Sequence, residues 1–173
     1  MGISATQPLR DAHRALLPEL GVLRIAADAV GSADGAEQFD LALRLLERHL
    51  LPHMAAEEAA LYPTIDRLSG NDATVALRHD HSEIRRRITT LGSLRRSTEP
   101  SAMLQHLLRA ALYGLDAIIG LHLDREEHLY YPLLDANLSP EESADLVTAI
   151  HRIERDLHLR ANEMPTIQPP EAR

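Results

Sequence analysis

Apolar residues recur every three to four positions along most of the chain, and short segments rich in glycine, serine, aspartate and proline interrupt this pattern. Such spacing places the apolar side chains on one face of an α-helix. The pattern predicts four long helices, over residues from about 6 or 8 to 30, 36 to 68, 72 to 94 and 101 to 136. Pro52 and Pro63 lie inside the second helix and predict kinks, because proline has no backbone N–H to donate.

A fifth helix is predicted to begin at Ser139. Pro140 follows at the first helical position, and Glu142 comes three residues after the serine, which is the pattern of a capping box. An apolar stripe then predicts packing on the other helices or on a partner helix; it consists of Leu146, Ile150, Ile153 and Leu157. We therefore expect an all-α protein: an up-down-up-down four-helix bundle over residues 6–138, an additional C-terminal helix over 139–163 and a disordered tail over 164–173.

Length and charge narrow the class of protein. A chain of 173 residues favours one domain. The net charge of -8 argues against a nucleic-acid partner, and we interpret the one dense basic run, residues 85–87, as a solvated helix face. No apolar stretch approaches the roughly 20 residues of a membrane span, and the first residues lack the features of a signal peptide. We expect a cytoplasmic protein without membrane or nucleic-acid partners; monomer and dimer both remain open.

Histidine and cysteine content decides which metal chemistry is possible. The chain has ten histidines and no cysteine. Disulfides, thiolate zinc sites, iron-sulfur clusters and a cysteine nucleophile are therefore excluded. Any metal would have to bind to histidine, aspartate or glutamate side chains.

Two segments share one motif. Residues 53–63 and 122–132 both carry His, Glu, Glu, Tyr and Pro at matching positions. A spacing of four residues puts His53 and Glu57, or His122 and Glu126, about 40° apart on one helix face. A single such pair is more often a surface ion pair. Here both pairs lie on the apolar faces of their helices, and an inward-facing acid is rarely buried unless it is paired or binds a metal.

The other two helices each add a histidine to the predicted interior. His13 shares the apolar face of the first helix, and His81 that of the third. Four histidines and two glutamates on four helices suit a dinuclear non-haem iron site better than a structural zinc site, which needs only four ligands. With both carboxylates bridging, roughly two of six positions on each ion stay open for a bridge and an exogenous ligand. Manganese or a mixed metal pair suits the same donors.

The ordered set of motifs resembles the hemerythrin-like, HHE cation-binding family. It comprises a histidine on the first helix, His53-x-x-x-Glu57-Glu58 leading to Leu61-Tyr62-Pro63, Arg78-His79-Asp80-His81, and His122-x-x-x-Glu126-Glu127 leading to Tyr131-Pro132. The resemblance covers approximately residues 6–138. It implies a carboxylate-bridged, oxo- or hydroxo-bridged pair of iron ions within the bundle. The ligands that it implies here are His13, His53, Glu57, His81, His122 and Glu126.

The sequence departs from the oxygen-carrying members of that family at two places. They have a second histidine one turn before the ligand on the third helix, where this chain has Leu77, and they place an aspartate five residues after the last histidine, where this chain offers Glu126 at four or Glu127 at five. The loss of a nitrogen donor favours sensing or redox turnover over reversible oxygen transport. His49, Glu58 and Glu127 are further candidate ligands, although Pro52 disturbs the turn between His49 and His53.

Two tyrosines and five further histidines are expected around the site or at the surface. Tyr62 and Tyr131 are expected either near the carboxylates or as core aromatics with a polar tip. The other histidines are expected at the surface or beside the site, without metal contact; they are His79, His106, His128, His151 and His158.

Three functions are compatible with the sequence. The first is a di-iron protein that binds or senses O2, nitric oxide or peroxide. The second is a di-iron enzyme with catalase-like or nitric-oxide-reducing activity. The third is a metal-free helical interaction module, with the fifth helix as its contact surface. The first two need the same ligands, so the sequence leaves open whether the protein is an enzyme.

Overall fold

A computed structural model describes residues 4, 6–70, 72–96 and 101–163. This part of the chain forms five helices and contains no strand, which confirms the predicted all-α class. We number the helices α1 (Gln7–Ala29), α2 (residues 35–69), α3 (Val75–Arg95), α4 (residues 102–137) and α5 (Pro140–Glu163). Their bounds agree with the predicted ones to within a few residues. The tail predicted over 164–173 lies outside the described residues.

The prolines inside α2 and α4 do not end these helices. Each follows a π-helical turn, through which the helix continues. In α2, Gly35–Leu45, Leu51–Ala56 and Tyr62–Ser69 are joined by π-helical turns over Leu46–Leu50 and Glu57–Leu61; in α4, Ala102–Arg125 and Tyr131–Asn137 are joined by Glu126–Tyr130. Each turn closes with a hydrogen bond from a backbone N–H to the carbonyl five residues earlier, as from Tyr62 to Glu57 and from Tyr131 to Glu126. The wider turn brings residues five apart onto one face, so Glu57 and Tyr62 both point inward.

The predicted capping box of α5 is present. The backbone N–H of Ser139 donates to Glu142 Oε2 at 2.9 Å, and the N–H of Glu142 donates back to Ser139 Oγ at 3.2 Å. These two bonds satisfy backbone donors that would otherwise lack partners at the first turn of a helix.

Two aspartates tie the helices together in matching ways. Asp135, near the end of α4, accepts hydrogen bonds from the backbone N–H and the hydroxyl of Thr6 at the start of α1. Asp66, near the end of α2, accepts the same two bonds from Thr74 at the start of α3. The motif repeat therefore extends beyond the Tyr-Pro pair, because each copy ends with an aspartate that caps another helix.

Two apolar clusters fill the interior. The first, the aliphatic cluster, includes Leu20, Leu23, Leu46, Leu91 and Leu112; the second, the tyrosine cluster, includes Tyr62, Ile65, Leu77, Tyr131 and Leu134. Helix α5 packs on the middle of α2 and adds Leu146 and Ile150 to the tyrosine cluster. His13 lies between Leu9 of the tyrosine cluster and Leu16 of the aliphatic cluster. The candidate site therefore occupies the layer between the two clusters.

Candidate metal centre

Four helices each bring a histidine to the layer between the two apolar clusters. His13, His81 and His122 are buried, and the side chain of His53 is 12% exposed. Glu57 and Glu126 are buried among them. The six residues that sequence reasoning selected as inward-facing therefore come together at one place.

The inward atoms of this group lie close to one another. His53 Nε2 is 2.9 Å from Glu57 Oε1, and His13 Nε2 is 3.6 Å from the same oxygen. On the other side, His81 Nε2 is 3.3 Å from Glu57 Oε2 and 2.9 Å from His122 Nε2. Two overlapping groups could thus hold a metal ion, His13 with His53 and Glu57, and His81 with His122 and Glu57. The Glu57 carboxylate belongs to both groups, which is where a bridging ligand would lie.

Glu126 completes the ring from the opposite side. Its Oε2 is 3.5 Å from His13 Nε2, and its Oε1 is 3.6 Å from His122 Nε2. Like Glu57, it therefore faces one histidine of each group. Both carboxylates therefore lie between the two groups of histidines, where bridging ligands of a dinuclear site would be expected.

Several of these inward atoms have no partner within the part of the chain that the structure describes. They are His53 Nε2, both carboxylate oxygens of Glu57 and Glu126 Oε2, all buried and all without a hydrogen bond. The short contact between His53 and Glu57 lacks hydrogen-bond geometry. Buried polar atoms are nearly always satisfied, at a cost of about 1–3 kcal/mol each when they are not. Nitrogen and carboxylate oxygen are donors that iron, manganese and zinc accept, so a metal ion fits this site.

The outward nitrogen of each inner histidine faces a carboxylate. The Nδ1 atoms of His53 and His81 are 2.9 Å from Glu154 and Glu58, that of His13 is 3.2 Å from Glu127, and that of His122 is 3.5 Å from Asp80. A carboxylate at Nδ1 favours the proton there, which leaves the Nε2 lone pair for a metal. We call these four acids, Glu58, Asp80, Glu127 and Glu154, the outer carboxylates.

Arginines accompany three of the outer carboxylates. Arg85 donates to both oxygens of Glu58 at 2.7 and 3.0 Å. Arg125 pairs with Asp80, and Arg10 donates to the backbone carbonyl of Glu127 at 3.1 Å. The contacts with Glu58 and Asp80 hold these two carboxylates in place and, through them, the orientation of the rings of His81 and His122.

The two tyrosines of the repeat reach the centre with their hydroxyl groups. Tyr62 donates to Glu126 Oε1 at 3.0 Å and lies 2.9 Å from His81 Nε2. The hydroxyl of Tyr131 lies 2.9 Å from His13 Nε2. Both rings are buried in the tyrosine cluster. The two expectations for these residues, core aromatics and polar neighbours of the carboxylates, therefore hold together.

The crowded charges shift the pKa values of the inner residues in opposite directions. Burial raises the pKa of Glu126 well above its ordinary value, and the neighbouring Glu57 carboxylate raises it further. Burial would also raise the pKa of Glu57, but His53, His13 and His81 outweigh it, so that this pKa is well below the ordinary value. Burial lowers the pKa of His122 to about 4. The pKa values of the two glutamates are therefore shifted apart, and a bound dication would favour the ionised form of both.

The reserve candidates of the sequence analysis lie elsewhere. The structure does not bring His49 into the inner ring; its side chain is half exposed, with Nδ1 3.2 Å from Glu19. Glu58 and Glu127 face outward nitrogens of other histidines. Leu77 is buried and offers no donor. Of the remaining histidines, His158 is half-buried beside His49, and four are exposed, namely His79, His106, His128 and His151.

Sequence reasoning did not single out Asp80 and Glu154 as partners of the histidines. Asp80 is adjacent to His81 in the chain, as Glu58 and Glu127 are adjacent to Glu57 and Glu126. An acid next to a predicted ligand was the one sequence signal for its role. Glu154 carries no local signal, because its contact with His53 depends on how α5 docks on α2.

The His and Glu side chains of this helical protein form a buried group that could hold a metal ion, and such a donor set is typical of metal-binding proteins. The sequence model of the hemerythrin HHE cation-binding domain family matches residues 4–134. The chain therefore belongs to the hemerythrin HHE cation-binding family. No curated protein and no solved structure matches it. Over the described residues, no helix has the length and apolar character needed to cross a membrane.

Proposed function

We propose that the chain binds two iron ions and uses them to bind or sense O2, nitric oxide or peroxide. His13 and His53 would hold one ion, His81 and His122 the other, and the carboxylates of Glu57 and Glu126 would bridge them. What supports this proposal most is the set of buried inward atoms without hydrogen-bond partners, together with an acid at the outward nitrogen of every inner histidine. Bound iron would supply either reversible binding of a small ligand or redox chemistry on it.

The protein side chains have separate tasks in this proposal. The outer carboxylates fix the histidine rings and keep their Nε2 lone pairs inward. The apolar clusters above and below exclude bulk water. Tyr62 holds a proton beside Glu126, within reach of a small ligand in the site. These tasks are the same whether the bound ligand is sensed or converted.

The fold that carries the site is proposed to be an up-down-up-down bundle over residues 6–138, with α5 added outside it. Contacts between helix ends support this topology. The start of α1 meets the end of α4 through Thr6 and Asp135, and the end of α1 meets the start of α4 through Val30 and Arg109. Arg95 at the end of α3 bonds to Asp40 near the start of α2.

A di-iron enzyme is the second candidate. Leu77 stands where the oxygen-carrying members have a histidine and supplies no nitrogen donor. The protein would therefore fill fewer positions on the metal ions than in those members, and open positions permit turnover. Two tyrosine hydroxyls at the inner ring are placed to donate or accept a proton. A metal-free interaction module would leave the inward atoms buried and unsatisfied, which is costly.

Metal analysis after expression in iron-supplemented cells tests the proposal. We expect about two iron ions per chain and, on addition of azide or peroxide, a charge-transfer band of a dinuclear ferric site. A content well below two ions of any metal contradicts the proposal. Sustained oxygen evolution from added peroxide, or consumption of added nitric oxide, identifies the enzyme. Binding of these ligands without their consumption identifies the sensor.

A further inference from the structure

A pocket lies on one side of the candidate metal centre, between α1, α2 and α5. Its volume is about 230 Å³, and its wall includes Ala12, Ala15 and an edge of His53. The residues at its rim are open to solvent: the side chains of His49 and Glu19 are 51% and 44% exposed. The pocket therefore joins solvent to one ligand of the proposed centre.

Besides His53, four polar residues line this pocket, and we call them the mouth site: Glu19, His49, Glu154 and His158. Glu19 Oε2 is 3.2 Å from His49 Nδ1, and the rings of His49 and His158 meet edge to face at 5.8 Å. Glu154 connects the group to the centre, since its Oε1 is 2.9 Å from His53 Nδ1. Polar side chains thus extend from the rim of the pocket to one ligand of the inner ring.

The imidazoles of the mouth site are in a form that can bind a cation. His158 Nδ1 donates to the backbone carbonyl of Glu154 at 2.8 Å, and the carboxylate of Glu19 favours a proton on His49 Nδ1. In a neutral imidazole with its proton on Nδ1, the Nε2 atom carries the lone pair. Imidazole nitrogen and carboxylate oxygen are donors that a divalent transition-metal ion accepts. Over the described residues the mouth donors are too far apart to form a preassembled site, so they would contact a passing ion in turn.

The other sides of the centre are less suited to admit a cation. His13 and His81 are fully buried, and His122 is nearly so, whereas His53 keeps an exposed edge. Arg85 and Arg125 pair with Glu58 and Asp80, and Arg10 bonds to the backbone of Glu127, so positive charge offsets the acids on these sides. Among the side chains that the structure describes, no arginine contacts Glu154. Both accessibility and charge therefore favour the side of the pocket.

We propose that the mouth site captures divalent iron from solvent and that the ion reaches the centre past Glu154 and His53. His49 and His158 are positioning residues for the incoming ion and do not remain bound to it in the loaded centre. This inference rests on the proposed function, because it needs a centre that binds metal. The uptake step involves no electron transfer, since the iron enters the centre as Fe2+.

The test measures the rate of metal uptake rather than the activity of the loaded protein. Metal-free full-length protein is mixed anaerobically with Fe2+ near the protein concentration, and a chelator stops uptake at chosen times. Replacing both mouth histidines, His49→Ala with His158→Ala, should slow uptake about tenfold or more, with an unchanged final iron content. His151→Ala, an exposed histidine on α5 outside the pocket, serves as the control and should take up iron at the wild-type rate.

Reversing the charge at the rim provides a second variant. Glu19→Lys should also slow uptake, and added salt should reduce the difference from wild type because the effect is electrostatic. Wild-type uptake rates in both the double variant and Glu19→Lys, with full final content, overturn the access role alone. Failure of the wild-type protein to bind any iron contradicts the proposed function instead, so the two failures are distinguishable.

Discussion

The two copies of the His-Glu-Glu-Tyr-Pro motif carry the same inward residues but have different surroundings. In the second copy, His122 is nearly fully buried, and its Nδ1 faces Asp80 of α3, which Arg125 holds. In the first copy, the side chain of His53 is 12% exposed, and its Nδ1 is 2.9 Å from Glu154 of α5, beside an open pocket. The motif therefore defines the inner ring, whereas the helices packed on it decide which side is closed and which is accessible.

The largest effect is expected from the carboxylate that both halves share. Glu57 contributes to both groups of residues that could hold a metal ion. Glu57→Ala should therefore leave well under one iron ion per chain instead of about two. Elemental analysis of the purified variant gives the answer.

Glu47→Ala provides the matched control, because Glu47 is a glutamate of the same helix but is exposed to solvent. It should keep much of the iron. Equal iron content in Glu57→Ala and wild type contradicts the bridging role of Glu57.

Removing one outer carboxylate from each copy sharpens the comparison between them. Asp80→Ala and Glu154→Ala should each weaken metal binding, by about 10- to 100-fold for a partner of this kind. We expect the larger loss for Asp80→Ala, because Arg125 is then left beside His122 without its acid. Competition with a chelator of known affinity measures both. A larger loss of metal affinity in Glu154→Ala than in Asp80→Ala contradicts this prediction.

The two tyrosines should contribute unequally to the stability of the metal-free protein. Tyr62 donates to Glu126 Oε1, whose loss in Tyr62→Phe leaves a buried oxygen unpaired, so we expect a cost of about 1–3 kcal/mol. Tyr131 is hydrogen-bonded to His13 alone among the inner residues described, and Tyr131→Phe should cost less. Urea unfolding of both variants measures the free energies. Equal free energies of unfolding for the two variants would show that the hydrogen bond to Glu126 adds no stability beyond that of the bond to His13.

The smallest effect concerns the aspartate at the end of the second copy, and it depends on pH. Burial would raise the pKa of Asp135, but hydrogen bonds from Thr6 and Ser4 hold it below its ordinary value. A carboxyl group whose pKa is lowered by folding stabilises the folded state above its unfolded pKa of about 3.9, and this contribution disappears as the pH falls through the folded pKa.

Asp135→Asn should therefore lower the free energy of unfolding by about 1 kcal/mol at neutral pH, and the difference from wild type should vanish in acid. Urea unfolding at several pH values above and below that range measures it. A difference that is constant down to the lowest pH contradicts the assignment.

The sequence predicted the helices and the inward group because both depend on local spacing. His53 and Glu57 are four residues apart, and that geometry does not need tertiary information. The π-helical turns of α2 were predicted only as kinks, because proline marks where the regular bond is lost but not how the helix adjusts, and the turn in α4 was not predicted. The contact between Glu154 and His53 could not be predicted, since it arises from the docking of α5 on α2.

The central claim is that the inner ring holds two metal ions with Glu57 between them, and diffraction from crystals of the iron-loaded protein at the iron absorption edge tests it most directly. Two anomalous peaks are expected, one bonded to Nε2 of His13 and His53 and the other to Nε2 of His81 and His122, with a Glu57 oxygen on each. A single peak, or peaks bonded elsewhere than at these nitrogens, would contradict the account.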